Sequence, residues 1–248
     1  MAQPKSNALL LLYPGFNTLD VNGPLEVFKK SGTTLYFSVT VASETDITTS
    51  AEGAHMKHDI PIDDNLLASL FSYDLLIVPG GLALSATDPV QQQAKNRESL
   101  FNRLIHTFSK LPATPGRNPR VLLSICTGAI LLANLGIFNA HYCTTHWGIY
   151  SLLPAYLKAG AEWATTSTSQ SSQNNQYQAG MLIPARFVDA GVNANGVRII
   201  SSGGISCGID ASLHVVKRRY GEEEAGETAR LLDYGWRQTE GVVFGEEF

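Results

Sequence analysis

VLLSICTGAILLANLG, residues 121–136, sets a strand-like run directly against a helix-like one. Residues 120–126 are almost unbroken in their apolar character, and from Ala129 the residues are helix formers. Cys126, Thr127 and Gly128 occupy the joint. An abrupt turn from strand to helix forces its apex residue into a strained conformation and crowds the positions two residues away. Ser124 and Gly128 are small enough for that crowding. The stretch therefore predicts that Cys126 is lifted clear of a sheet. The first helical N–H groups, that of Thr127 included, would face the space beside the sulfur. Such N–H groups and the helix dipole favour thiolate over thiol and form half of an oxyanion hole.

Outward from this joint, apolar runs of strand length recur at 8–13, 35–43, 73–81 and 197–204. Runs this apolar suit strands buried on both faces. Helical patterns lie between them. Asp88-Pro89 with Gln91 reads as a cap, and Phe101, Leu104 and Phe108 follow at helical spacing. Ile209, Leu213, Val216 and Tyr220 form a stripe closed by Gly221, and Ala225, Ala229, Leu232 and Trp236 form another. The alternation predicts an α/β fold: a flavodoxin-like, doubly wound, mostly parallel sheet with helices on both faces. Residues 1–248 read as one domain. Residues 111–119 read as a loop, and the polar stretch TTSTSQSSQNNQYQ (165–178) as a mobile surface insertion.

Composition narrows the function classes. The chain is 44% apolar and 16% charged with a net charge of -4, enough to build a core and without a basic stripe for nucleic acid. No apolar stretch near the N-terminus is long enough for a membrane span or an export signal. With three cysteines and no such signal, free thiols in the cytoplasm are expected. The acidic run GEEEAGE (221–227) reads as a solvated helix start.

Ligands bind open α/β sheets beyond the carboxyl ends of the strands. Asp20 follows the first strand among Phe16, Leu19 and Val21, and there it could hydrogen-bond the sulfur and donate a proton to substrate. Two acids side by side would disfavour joint ionisation, so the pair would share a proton. Gly80 and Gly81 end a third strand, where backbone could approach a ligand and the Gly81 N–H could complete the oxyanion hole. A tight-turn role for the glycines and an N-cap role for Asp20 are the plainer alternatives. His55 and His58 show no third metal ligand, Cys143 reads as buried and inert, and Glu26 as a helix surface residue. Cys207 could be a resolving thiol only if it lies near Cys126.

Six stretches in this order resemble the ThiJ/PfpI superfamily of the class I glutamine-amidotransferase-like fold: YPGFNTLDVNGPLEVF (13–28), DLLIVPGG (74–81), SICTGAILLANLGIF (124–138), CTTHW (143–147), ARFVDAG (185–191) and GGISCGID (203–210). The resemblance extends from about Leu9 to Trp236. It implies Cys126 as nucleophile, Asp20 as its acid, Thr127 as the residue after the nucleophile, and His146 and Trp147 near the pocket mouth. Many members carry glutamate at the acid position and histidine after the cysteine; Asp20 and Thr127 are similar instead to the isonitrile hydratase branch. Cys207, where an alanine-like residue is usual, and the 165–178 insertion depart from that branch. The implied activity is cofactor-free, metal-free hydration of a small electrophile by a homodimer. The alternatives are another thiol-dependent lyase or hydrolase, such as a glyoxalase-like enzyme, and a redox-sensing stress protein. Related regulators carry an added helix-turn-helix domain, for which no room is expected after Trp236.

Overall fold

The computed structural model describes residues 5–32, 36–81, 96–167 and 178–245. Its strands are β1 (Ser6–Leu11), β2 (Phe37–Ser43), β3 (Ile47–Thr49), β4 (His55–Lys57), β5 (Ile60–Pro61), β6 (Leu75–Val78), β7 (Val121–Ile125), β8 (Tyr142–Cys143), β9 (Met181–Leu182), β10 (Phe187–Val192), β11 (Arg198–Ser202) and β12 (Val242–Val243). Its α-helices are α1 (Thr18–Lys30), α2 (Asp64–Ala68), α3 (Leu100–Ser109), α4 (Ala129–Asn134), α5 (Leu153–Ser167), α6 (Cys207–Tyr220) and α7 (Glu222–Leu231).

Eight strands form one sheet in the order β12-β10-β11-β7-β6-β1-β2-β5. All neighbours are parallel except β10 and β11. The two-residue alternation of a strand divides the core. Leu9, Leu11, Leu76, Val78 and Leu122 pack on one face against α3, α4 and α5. Ala8, Leu10, Leu75, Ile77, Leu123 and Ile125 pack on the other against α1, α6 and α7. The fold is thus the expected mostly parallel, doubly wound sheet, covered on both sides.

Some expectations change. The stripe ending at Trp236 is not one helix: α7 stops at Leu231, and Asp233 turns left-handed with φ of 52°. Thr165 and Thr166 belong to the last turn of α5, so the polar insertion does not begin at 165; the rest of it, 168–177, lies outside the described residues. The Asp88–Gln91 cap also lies outside them, and the described helix, α3, is capped by the Ser99 side chain on the Asn102 N–H. The hairpin β3–β4 went unpredicted, and it matters for the site. Its turn is tied to the loop after β1 by Gly15 N–H to Thr49 O and Ala51 N–H to Phe16 O, both at 2.8 Å. This places Ala51 and Glu52 over the carboxyl ends of the strands. Among the described residues, no helix is long and apolar enough to cross a membrane.

Candidate active site

Strand β7 ends at Ile125, and Cys126 opens a single 3-10 turn (Cys126–Gly128) that runs into α4. Cys126 has φ of 55°, a left-handed conformation that L-residues with a side chain seldom adopt. Tight packing imposes it. A Cβ on Gly128 would lie 2.6 Å from Val78 O, and the Cys126 carbonyl is fixed by the Thr145 hydroxyl at 2.7 Å. Ser124 is buried, and its hydroxyl has no hydrogen-bond partner among the described residues. Sulfur 126 opens onto a cavity of about 440 Å³ that also reaches Thr127, Gly81, His146, Asn17 and Glu52.

Asp20 stands in the first turn of α1, behind the N-cap Asn17, whose side chain accepts from the Leu19 and Asp20 N–H groups. A cap of this kind contributes about 1 kcal/mol. The Asp20 carboxyl is fully buried. Its Oδ2 accepts from the Gly80 N–H at 3.0 Å. Its Oδ1 is buried without a well-formed hydrogen bond, although the Cys126 thiol interacts with this carboxyl. Burial is the chief reason that Asp20 is pushed from its ordinary 3.8 up to about 7; the Gly80 bond and the thiol oppose the rise, and the Glu52 charge adds to it. Burial also pushes the Cys126 thiol far up, and Asp20 pushes it further, against the Thr127 N–H that favours thiolate. Burial and the neighbouring carboxyl thus work against the thiolate that the helix N-terminus favours. Two interacting acids in one buried niche hold a shared proton more readily than two charges.

The glycines of the 79–81 turn are packing necessities. A Cβ on Gly80 would come within 2.6 Å of Thr127 N and 2.8 Å of Asp20 Oδ2, and one on Gly81 would meet Gly15 O at 2.2 Å. The Gly81 N–H is not an open oxyanion donor, contrary to expectation. It donates to Thr127 Oγ1 at 2.8 Å, while the same hydroxyl can donate to Gly81 O at 3.0 Å. That hydroxyl also neighbours the sulfur and lowers the thiol's pKa, so its single proton can serve Gly81 O or Cys126. The Gly80 N–H is likewise spent on Asp20, which leaves the Thr127 N–H as the backbone donor seen to favour the sulfur's charge.

His146 lies beside the sulfur. A Cβ on Gly204 would sit 2.4 Å from His146 Cδ2 and 2.6 Å from Cys126 Sγ. His146 also caps the short turn after it, accepting from the Gly148 N–H at 3.1 Å, so its cap role and its place at the cavity coexist. Trp147 does not line the cavity; its side chain points out and is 73% exposed. Sequence reasoning missed Glu52, Asn17, Ile149 and Ile205 as cavity residues, and Tyr13, whose hydroxyl is pushed up by burial and by Asp20 and Cys126 nearby. The Asn17 cap was the one readable signal among them.

Ile205, in the loop 203–206, lines the cavity, and a second network holds this loop. The Arg186 Nε donates to Asp210 Oδ2 at 2.5 Å, and its Nη2 reaches Ser206 Oγ and Tyr234 OH, each at 3.1 Å. Tyr234 OH and the Arg237 N–H complete the partners of buried Asp210. Cys207 opens α6 with its thiol 3.3 Å from Gly204 O, and Cys143 is fully buried, its thiol raised to about 12 by burial. All three cysteines are free. Glu26 is exposed, and His55 and His58 bond to Thr49 and Thr45 on the β3–β4 hairpin side. Among the described residues, no three His, Cys, Asp or Glu side chains converge as a metal set would.

The profile of the DJ-1/PfpI family matches residues 6–193. The chain belongs to the DJ-1/PfpI family. An uncharacterized protein of Streptomyces lividans is 29% identical over 148 residues, covering 56% of this chain and 86% of its own length. The isonitrile hydratase of Pseudomonas putida is 22% identical over 224 residues, 90% of this chain and 76% of the relative. A ThiJ/PfpI family protein of Pseudomonas syringae and DJ-1beta of Drosophila melanogaster each match the fold with a TM-score of 0.63 at 18% identity. Each match covers 94% of this chain, with 76% and 100% of the respective relatives.

Proposed function

We propose that this protein hydrates a small electrophile through Cys126, with an isonitrile as the substrate and an N-substituted formamide as the product. The observation that carries the reading is the Asp20 carboxyl, buried against the Cys126 thiol and poised to hold its proton up to about pH 7. General acids work best when their pKa lies near the working pH. In the first step, Asp20 passes its proton to the isonitrile carbon as the sulfur bonds to that same carbon, and the thiol proton passes to the carboxyl in its place. This yields a thioimidate and restores the Asp20 acid. In the second, Asp20 protonates the thioimidate nitrogen, and the resulting carboxylate draws a proton from water as the water oxygen adds to the carbon. Collapse then breaks the carbon–sulfur bond, returns the hydroxyl proton to the sulfur and releases the formamide. Dividing the addition in two lowers its hardest barrier. The Thr127 hydroxyl can turn from Gly81 O toward the departing sulfur.

The spent N–H groups of Gly80 and Gly81 favour this chemistry over hydrolysis of an amide. Attack on an amide builds an oxyanion, which needs open donors; attack on an isonitrile builds charge on carbon, which needs an acid. A peroxide-sensing role is less well served, because it depends on an accessible thiolate, and both burial and Asp20 oppose one here. The similarity to isonitrile hydratase supports the reading at 22% identity. The test is a panel of isonitriles, nitriles, amides and methylglyoxal, with product identified by mass spectrometry, on wild type, Cys126→Ser and Asp20→Asn. Formamide from isonitriles with wild type alone is expected. A Cys126→Ala protein that kept turnover, or a wild type inert to every isonitrile, would end the proposal.

A further inference from the structure

Among the described residues, the cavity at Cys126 is lined by one carboxylate, Glu52, and by no lysine or arginine. An adjoining cavity of about 500 Å³ shares Asn17, Glu52 and Ile205 with it, and it too is lined by no lysine or arginine. Glu52 therefore stands where the two spaces meet. It is held there firmly. Oε1 accepts from Asn17 Nδ2 at 2.7 Å, and Oε2 accepts from the Thr18 N–H at 2.8 Å and the Thr18 hydroxyl at 2.6 Å. These donors, with the Ser50 hydroxyl and the Glu52 N–H beside them, fix the exposed carboxylate at the start of α1 and hold it ionised. Deeper in, Asp20 supplies a second carboxyl whose Oδ1 lacks a well-formed hydrogen bond. An anion brought to the sulfur would pass one carboxylate and stop beside another acid, with His146 the one basic side chain among the described lining residues.

We propose that Glu52 selects the charge of the substrate: the site admits neutral and cationic electrophiles, receives an ammonium or other N–H donor of the substrate's tail on Glu52, and turns away anionic ones. The assignment deepens the reading of Cys126 as the nucleophile and rests on it. It makes the substrate a compact electrophile whose substituent is basic or carries a hydrogen-bond donor.

Charge selection can be read without turnover, from the rate at which two methanethiosulfonates modify Cys126, one bearing a trimethylammonium and one a sulfonate. In each case the cysteine sulfur bonds to the reagent's thiol sulfur, methanesulfinate leaves with the electron pair, and the thiol proton goes to solvent. Modification is located by peptide mass, and both rates are divided by those for a small free thiol. Wild type is expected to favour the cationic reagent. Glu52→Gln is expected to lower the cation-to-anion ratio about fivefold, and Glu52→Asp to preserve it. The wild-type preference should shrink in ~1 M salt. A Glu52→Gln ratio within about twofold of wild type, with a thermal melt like that of wild type, would overturn the proposal. So would a wild-type preference for the anion, or no modification of Cys126 by either reagent. A protein that sorts the reagents by charge yet hydrates no isonitrile keeps Glu52 in this role and loses the hydratase reading. One that hydrates isonitriles without sorting them does the reverse.

Discussion

Asp20→Asn should make the protein more stable in alkaline solution while abolishing its turnover. Burial raises the Asp20 carboxyl from 3.8 to about 7. A group raised in the folded state lends its full stability below its unfolded value, and that contribution is lost as pH rises through the folded value. Between about pH 4 and pH 7, the unfolded chain has released this proton and the folded chain still holds it. Stability then falls by roughly 1.4 kcal/mol for each pH unit, to a total near 4 kcal/mol. Asparagine does not titrate, and its side-chain oxygen can still accept from the Gly80 N–H. The whole-protein profile hides the effect, because half-buried His106 is lowered from 6.5 to about 4 and works in the opposite direction over part of the same range. The difference between variant and wild type removes His106 and leaves Asp20. Urea unfolding at half-unit steps from about pH 4 to 8.5 should show the variant gaining up to about 4 kcal/mol relative to wild type across the range, with the gain levelling off above pH 7. A difference curve that stays flat, or that slopes the other way, would show that the carboxyl is not held protonated by burial, and the acid role assigned to it would go as well.

Because the acid form is the one required, kcat/KM for the electrophile should fall as pH rises past about 7, and Glu52→Gln should move that fall to lower pH by removing a charge that raises Asp20; a stopped assay across pH buffers reads both. Gly204→Ala places a methyl 2.4 Å from His146 and 2.6 Å from the sulfur, so a loss of about 1–3 kcal/mol in urea unfolding and a collapse of kcat/KM are expected. Normal values for both would mean that the loop 203–206 does not press on the site. Thr127→Val strands the Gly81 N–H and carbonyl in a buried turn and should cost about 1–3 kcal/mol, most of it recovered by Thr127→Ser. Arg186→Met leaves Asp210 buried without its cation. Unfolding free energy should drop by about 3–5 kcal/mol, and a neutral result would deny the network its part in holding the loop 203–206.

The sheet was readable because its central strands are apolar on both faces, as VLLSI and LLIV show, and such runs have little other use in a chain this size. The elbow was readable for a related reason: Cys126, Ser124 and Gly128 satisfy a steric demand that is local to the chain. Allocation of hydrogen bonds was not readable. Gly81 sits at the site as expected, but its N–H goes to a hydroxyl 46 residues away, a choice fixed only by tertiary distance. The β3–β4 hairpin escaped because its strands are three residues long and largely exposed, so no apolar period marks them. Glu52 escaped with it. Trp147 shows the converse, for an aromatic residue beside a site residue in sequence can still face water. The spacing that linked Ala229 to Trp236 was sound as arithmetic, yet the left-handed residue at 233 broke the helix that it assumed.

The family profile stops at residue 193, while Gly204, Ile205 and the Asp210 node that braces them come afterwards. The stretch that supplies Cys126 and Asp20 is thus separate from the stretch that supplies Ile205 to one side of the cavity. That later stretch also supplies β11, the strand beside β7, so substitutions confined to the loop 203–206 would reshape the cavity while leaving the sheet under Cys126 intact.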